Sequence, residues 1–220
     1  MKTIAIPQFY CGPSGRKGLY NRQEVGLARA FAALGARGIV LYPAPDAAAP
    51  TVEEPEPNVK VYYLPVRTLG SQAFYKSWQI LLDERVDAVH VMGDNSPGVP
   101  SLYRFCRRHG IVFYSQLGAL KSASNHRAVR FVMDLLLRRN LAIYKKTPTY
   151  AKTPAVAAEL ESLGVPCAGL MPVGLDTAII PDIPAERAKL RGAVGRDPQA
   201  KIFVFVGRLD PYKRPLDLVP

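Results

Sequence analysis

The sequence predicts a parallel α/β fold: a Rossmann-like sheet with helices on both faces. Three observations carry that prediction. Short β-prone runs alternate with amphipathic stretches of about 10 to 15 residues, the pattern of βαβ units. A glycine-rich segment, Gly12 to Gly18, directly follows the first apolar run, where a strand turns into a helix. The run Lys201-Ile202-Phe203-Val204-Phe205-Val206-Gly207 is apolar on both faces, as a central parallel strand is.

Taken in order, Thr3 to Phe9 is the first strand, and a helix from about Tyr20 to Leu34 follows the glycine-rich loop, with Gly35 just past its end. Ile39 to Tyr42 is a second strand. Ala44 to Asn58, rich in Ala, Pro and Glu, reads as a mobile surface loop without a backbone ladder. Val59 to Leu64 is a third strand, and Ser71 to Asp83 reads as a helix with Phe74, Trp78 and Leu81 or Leu82 inward. Asp87 to Met92 is a fourth strand; Ser96 then caps a helix to about His109, with Pro97 in its first turn.

Ile111 to Ser115 is a fifth strand, and Lys121 to Asn140 is mostly helical. Thr149 to Lys152 and Ala168 to Pro172 are short strands around a helix from Pro154 to Leu163, closed by Gly164. A boundary follows Asp176, so residues 1–176 form one domain. Residues 177–200, with a small helix from Ala185 to Val194, are a linker, and residues 201–220 begin a second domain. A lone strand cannot bury both faces, so the run at 201–207 implies a partner domain beyond this chain.

The composition narrows the function classes. The chain has 220 residues, 48% of them hydrophobic, enough for one sizeable core. No apolar run approaches the roughly 20 residues that cross a bilayer. The densest, Phe131 to Leu137, is interrupted by Asp134 and reads as a buried helix. Met1-Lys2 leads into a run that Pro7 cuts off, too short for a secretory signal. The 3 cysteines, Cys11, Cys106 and Cys167, are far apart and make neither a disulfide framework nor a zinc site, so a reducing, cytoplasmic setting is expected. The net charge of +11 favours an anionic partner. No nucleic-acid module is recognisable, and Tyr103, Phe105 and Tyr114 fall at packing positions.

Ligands of open parallel sheets gather at the carboxyl ends of the strands, and four such ends are informative. The loop with Gly15 and Gly18 either brings backbone N–H groups to an anion or needs glycine only for a tight turn. Its G-x-x-G-x-x-G spacing, with Tyr42-Pro43 rather than an acid after the second strand, argues against NAD. Asp94 and Asn95 either grip sugar hydroxyls or form an Asx turn. Gln116, after the fifth strand, hydrogen-bonds but cannot exchange a proton, and nearby His126 reads as a surface residue. Arg208 and Lys213, after the run at 201–207, suit a diphosphate, or are simply a basic turn.

Val206-Gly207-Arg208-Leu209 followed by Lys213-Arg214-Pro215 resembles the start of the donor domain in retaining GT-B glycosyltransferases, the group called glycosyltransferase family 4. Gly18 with the helix Glu24 to Leu34, the stretch Thr149 to Gly164, and the hinge-like Met171-Pro172-Val173-Gly174-Leu175-Asp176 resemble further motifs of that family in the same order. The resemblance implies the N-terminal half of a GT-B fold with a truncated second domain. It also implies sugar transfer, with retention, from a nucleotide sugar (UDP- or GDP-linked) to a glycan or lipid-linked acceptor.

Under it, Arg208 and Lys213 hold the donor diphosphate, and the loop around Gly15 and Gly18 lies near donor phosphate and acceptor. No D-x-D motif occurs and no cofactor is expected. Two departures stand: Gln116 replaces the family's usual histidine, and the chain ends before the glutamate pair of the donor domain. The 220 residues alone are therefore expected to be inactive. A non-catalytic binding module of the same fold is the alternative. The basic stretch Arg104 to Lys152 makes an anionic membrane surface a further expected partner, unless it is only a solvated helix face.

Overall fold

The structure is a computed structural model. It describes residues 1–12, 22–93, 95–120, 126–174, 182–194, 199–205 and 215–218. The chain divides into two units, Met1–Leu175 and Asp176–Pro220.

In chain order the larger unit runs β1 (Thr3–Pro7), α1 (Gln23–Ala33), β2 (Arg37–Pro43), β3 (Thr51–Glu56), β4 (Val59–Leu64), β5 (Val66–Leu69) and β6 (Gln72–Tyr75). It continues with α2 (Ile80–Asp83), β7 (Ala88–Val91), α3 (Val99–His109), β8 (Val112–Leu117), α4 (Arg127–Tyr144), β9 (Thr149–Ala151), α5 (Pro154–Ser162) and β10 (Gly169–Leu170). Eight strands form one sheet in the order β10-β9-β8-β7-β1-β2-β4-β3, parallel except at the β3–β4 edge. Alternation sorts the side chains to two faces. Ile6, Val40, Tyr42, Val59 and Val61 meet Val25 and Ala28 of α1 on one face. On the other, Ala5, Leu41, Val89, Val91, Phe113 and Leu117 meet Leu102, Cys106, Leu137, Leu141 and Leu160 of α3, α4 and α5. The expected α/β layering is therefore present, with α1 on one face and α3, α4 and α5 on the other.

Several local expectations differ from what the chain adopts. The stretch from Ala44 contains β3, an antiparallel edge strand on β4 whose register shifts between Glu53 and Glu56. Pro55 sits in that irregularity, on an edge where a missing N–H is tolerated. In place of a helix from Ser71 to Asp83 the chain makes a β5–β6 hairpin and the single turn of α2. Gly70, at φ +57, permits the tight reversal between Leu69 and Gln72. Trp78 and Leu81 are buried all the same.

Ser96 does not cap α3. Its amide bonds to the Gly93 carbonyl in a turn, the helix starts at Val99, and Pro100 rather than Pro97 lies in its first turn. Thr153 does cap α5, accepting from the Val156 amide at 3.3 Å, and Gly164 follows at φ +69. The segment Phe131 to Leu137 is not buried until its last residue. Phe131 is 71% and Leu135 57% exposed, and the apolar residues of α4 become buried from Leu137 onward.

In the smaller unit, α6 (Ile183–Ala193) begins at Asp182, whose side chain accepts from the Ala185 amide. Residues 201–205 form no strand, and Phe203 is 84% exposed. An apolar run becomes a central parallel strand only when neighbouring strands supply ladders on both edges.

Candidate functional site at the carboxyl edge of the sheet

β1 lies between β2 and β7, and the winding of the sheet reverses there. β2 and β4 extend to one side, and β7, β8, β9 and β10 extend to the other. In an open α/β sheet the crevice at such a reversal, at the carboxyl ends of the strands, is where ligands bind. The segments that flank it are the loop after β1 and the loop after β7.

Phe9 anchors both. Its ring packs edge-on to Trp78 at 6.0 Å and to Tyr75 at 6.2 Å. It also lies so close to the β7–α3 connection that a Cβ on Gly98 would come within 2.6 Å of it. Glycine at 98 is what lets the two loops close on each other. Of the residues singled out in the sequence, Asn95 is half-buried in the β7–α3 loop beside this crevice. Gly15, Gly18, Asp94, Arg208 and Lys213 lie outside the described residues.

Gln116 belongs to β8 itself rather than to a loop beyond it, and is 4% exposed. Its side-chain nitrogen donates to the carbonyl of Met171 at 2.6 Å and, more weakly, to that of Pro172 at 3.4 Å. Its oxygen lies 3.3 Å from Nε2 of His90. His90, on β7, is 0% exposed, and its Nδ1 has no partner among the described residues. Burial pushes its pKa down to about 4; the bond to Gln116 works against that, and the nearby Lys152 ammonium adds to it. Tyr114 stands edge-on to the imidazole at 5.1 Å.

A second buried polar group sits on the other side of β1. Glu24, in the first turn of α1, accepts from Nε2 of Gln8 at 2.7 Å and from the Tyr42 hydroxyl at 2.8 Å. Burial first, and then the Glu24 carboxylate, raise the Tyr42 pKa far above its ordinary value, so the phenol stays protonated and donates. The Tyr75 hydroxyl lies within hydrogen-bonding distance of the Gln8 and Leu41 carbonyls, 2.6 and 2.9 Å away. These bonds lock the ends of β1 and β2 to the start of α1.

Sequence reasoning passed over Glu24, Gln8, Tyr42 and His90. The one legible signal was His90 itself, a polar residue alternating with Val89 and Val91 on an otherwise apolar strand. A cavity of 360 Å³ opens beyond β2, lined by Leu64, Pro65, Tyr75, Lys76 and Ile80 among others. It is apolar-walled, and Tyr75 in its wall also packs against Phe9. Among the described residues no cluster of His, Cys, Asp and Glu could hold a metal ion. No helix among them is long and apolar enough to cross a membrane.

No family model matches the chain. No curated protein sequence matches it either. Among solved structures, sucrose-phosphate synthase from Thermosynechococcus elongatus superposes with a TM-score of 0.59, at 17% identity, over 87% of this chain and 53% of that one. A second structure of that synthase, covered along 100% of its length, superposes over 89% of this chain with a TM-score of 0.50 and 15% identity. The fold is that of a GT-B half-domain. At such identities the likeness carries the fold alone. This half-domain, with the residues after it, spans about half the length of the first synthase chain, 53%. Its β1–β7 crevice is the position at which a ligand-binding cleft is expected in a doubly wound sheet.

Proposed function

We propose that this chain is the acceptor-side half of a retaining glycosyltransferase. In this reading it works with a donor domain to move a sugar from a UDP- or GDP-sugar to a glycan or lipid-linked acceptor. The observation that carries the reading is the strand-order reversal at β1 of a GT-B-like half-domain, with Asn95 in the loop after β7. Loops at that edge approach a ligand with backbone N–H groups and short polar side chains. Catalysis in this reading is positioning plus electrostatic stabilisation of the departing diphosphate. Arg208 and Lys213 supply the positive charge, the first as a planar fork and the second as a point charge.

The reading is tested by incubating the full-length protein with a panel of nucleotide sugars and following nucleotide diphosphate release. Release with one donor that depends on an added acceptor, and falls at least about a hundredfold in Arg208→Ala, is expected for a residue that stabilises transition-state charge. A full-length protein that binds no nucleotide sugar would be a non-catalytic module, and the proposal would fail.

The same reading puts the acceptor at an anionic membrane surface. On α4, Phe131, Leu135 and Val132 are exposed along one side, with Arg127 and Arg138 flanking them. Such a face seats its apolar side chains among acyl chains while arginines meet phosphates. Co-sedimentation with acidic vesicles but not neutral ones, lost in a Phe131→Asp/Leu135→Asp variant, is the expected result. Equal binding to both vesicle types would remove the membrane from the proposal.

A further inference from the structure

The Gln116 side chain is used at both ends, and its partners determine which way round it sits. The carbonyl oxygens of Met171 and Pro172 can only accept, so the atom facing them must be the amide nitrogen. The amide oxygen therefore faces His90, whose Nε2 must carry the proton and donate to it. Nδ1 is then the bare nitrogen, which agrees with its having no partner among the described residues. Two backbone carbonyls thus set an amide orientation, and the amide sets a tautomer on the adjacent strand.

Met171 and Pro172 follow β10 directly and lead to the boundary after Leu175. The Met171 amide donates to the Ala151 carbonyl of β9 at 2.8 Å, so this stretch is held from both its N–H and its C=O side. A side chain that is 4% exposed, with its donors and its acceptor all engaged, has little left for a sugar hydroxyl.

We infer that Gln116 is a positioning residue that latches the segment leaving the larger unit to the sheet core, through His90 on one side and the Met171 and Pro172 carbonyls on the other. Its role is to fix the direction in which the chain leaves this unit, not to touch substrate. The inference stands on these contacts and holds whether or not the glycosyl-transfer reading does.

The test uses ligand-free protein and two variants of matched length. Gln116→Glu keeps an acceptor for His90 but, as a carboxylate, cannot donate to the carbonyls. Gln116→Met does neither. Hydrogen exchange of the Met171 amide should rise about tenfold in both, the size expected for losing a buried hydrogen bond. Amides of β1 and β2 should keep wild-type protection. Imidazole ¹⁵N shifts should show His90 bare at Nδ1 in the wild type and in Gln116→Glu, with mixed tautomers in Gln116→Met.

A glutamine that served only to bind ligand would leave Met171 exchange unchanged without ligand, and that result would overturn the latch. So would a wild-type His90 protonated at Nδ1, a measurement that needs no variant to fold.

Discussion

The Tyr42 hydroxyl donates to the Glu24 carboxylate at 2.8 Å in the buried joint between β2 and α1. Gln8 at the end of β1 donates to the same carboxylate, so three elements converge on one acceptor. Removing that acceptor while keeping side-chain bulk strands the buried Tyr42 hydroxyl and the half-buried Gln8 amide. Glu24→Leu should cost about 2–4 kcal/mol, lowering the melting temperature by roughly 5–12 °C. Tyr42→Phe removes one donor and should cost only about 1 kcal/mol. A Glu24→Leu melting curve within about 2 °C of wild type would mean that the three groups do not meet.

His90 makes the fold sensitive to acid. Its folded-state pKa of about 4 lies below the ordinary histidine value of 6.5, so the unfolded chain binds the proton more readily. The stabilisation is complete above about pH 6.5 and is lost as pH falls toward the folded value. Between pH 7.5 and 5 the histidine-dependent loss should be roughly 2 kcal/mol. Urea midpoints of wild type and His90→Leu at the two pH values measure it. The variant should be less stable at pH 7.5 but should lose less on acidification; parallel losses would assign the acid effect to other groups.

Helix α4 should respond to substitution very differently at its two ends. Leu137 packs in the main core, and Leu137→Ala should cost about 2–4 kcal/mol. Phe131 is exposed, and Phe131→Asp should change stability by no more than about 0.5 kcal/mol. Chemical denaturation of the pair reads the contrast directly. A large cost at Phe131 would show that another part of the protein covers that face.

The contact of Phe9 with Gly98 admits no side chain. A Cβ at 98 would meet ring atoms at 2.6 and 2.7 Å, so Gly98→Ala must displace the Phe9 ring, which packs on Trp78. The expected cost is about 1–3 kcal/mol, with a changed tryptophan emission from Trp78. Unaltered emission and stability would show that the two loops do not close at this point.

Much of the architecture was legible because strand and helix order follow from local composition. The runs at Thr3, Ile39, Val59, Asp87 and Ile111 all lie in the parallel sheet, and Pro154 and Gly164 bracket a helix as their backbone preferences require. Trp78 and Leu81 were rightly placed inside, yet on the connection after a hairpin and on a single turn, because a short apolar periodicity does not distinguish those from a longer helix. Asn95 and Gln116 were singled out from strand-end position alone, and Gln116 lies within β8 itself. What Gln116 does there was not, because its partners lie 26 and 55 residues away in the chain.

Local sequence by itself determined the α/β alternation, since backbone propensity and apolar period act over a few neighbours. Tertiary structure alone decided that α4 leaves Phe131 outside and that Glu24 and His90 are buried with their particular partners. Burial and hydrogen-bond pairing depend on which distant segments arrive at the same place, and no local window contains that information.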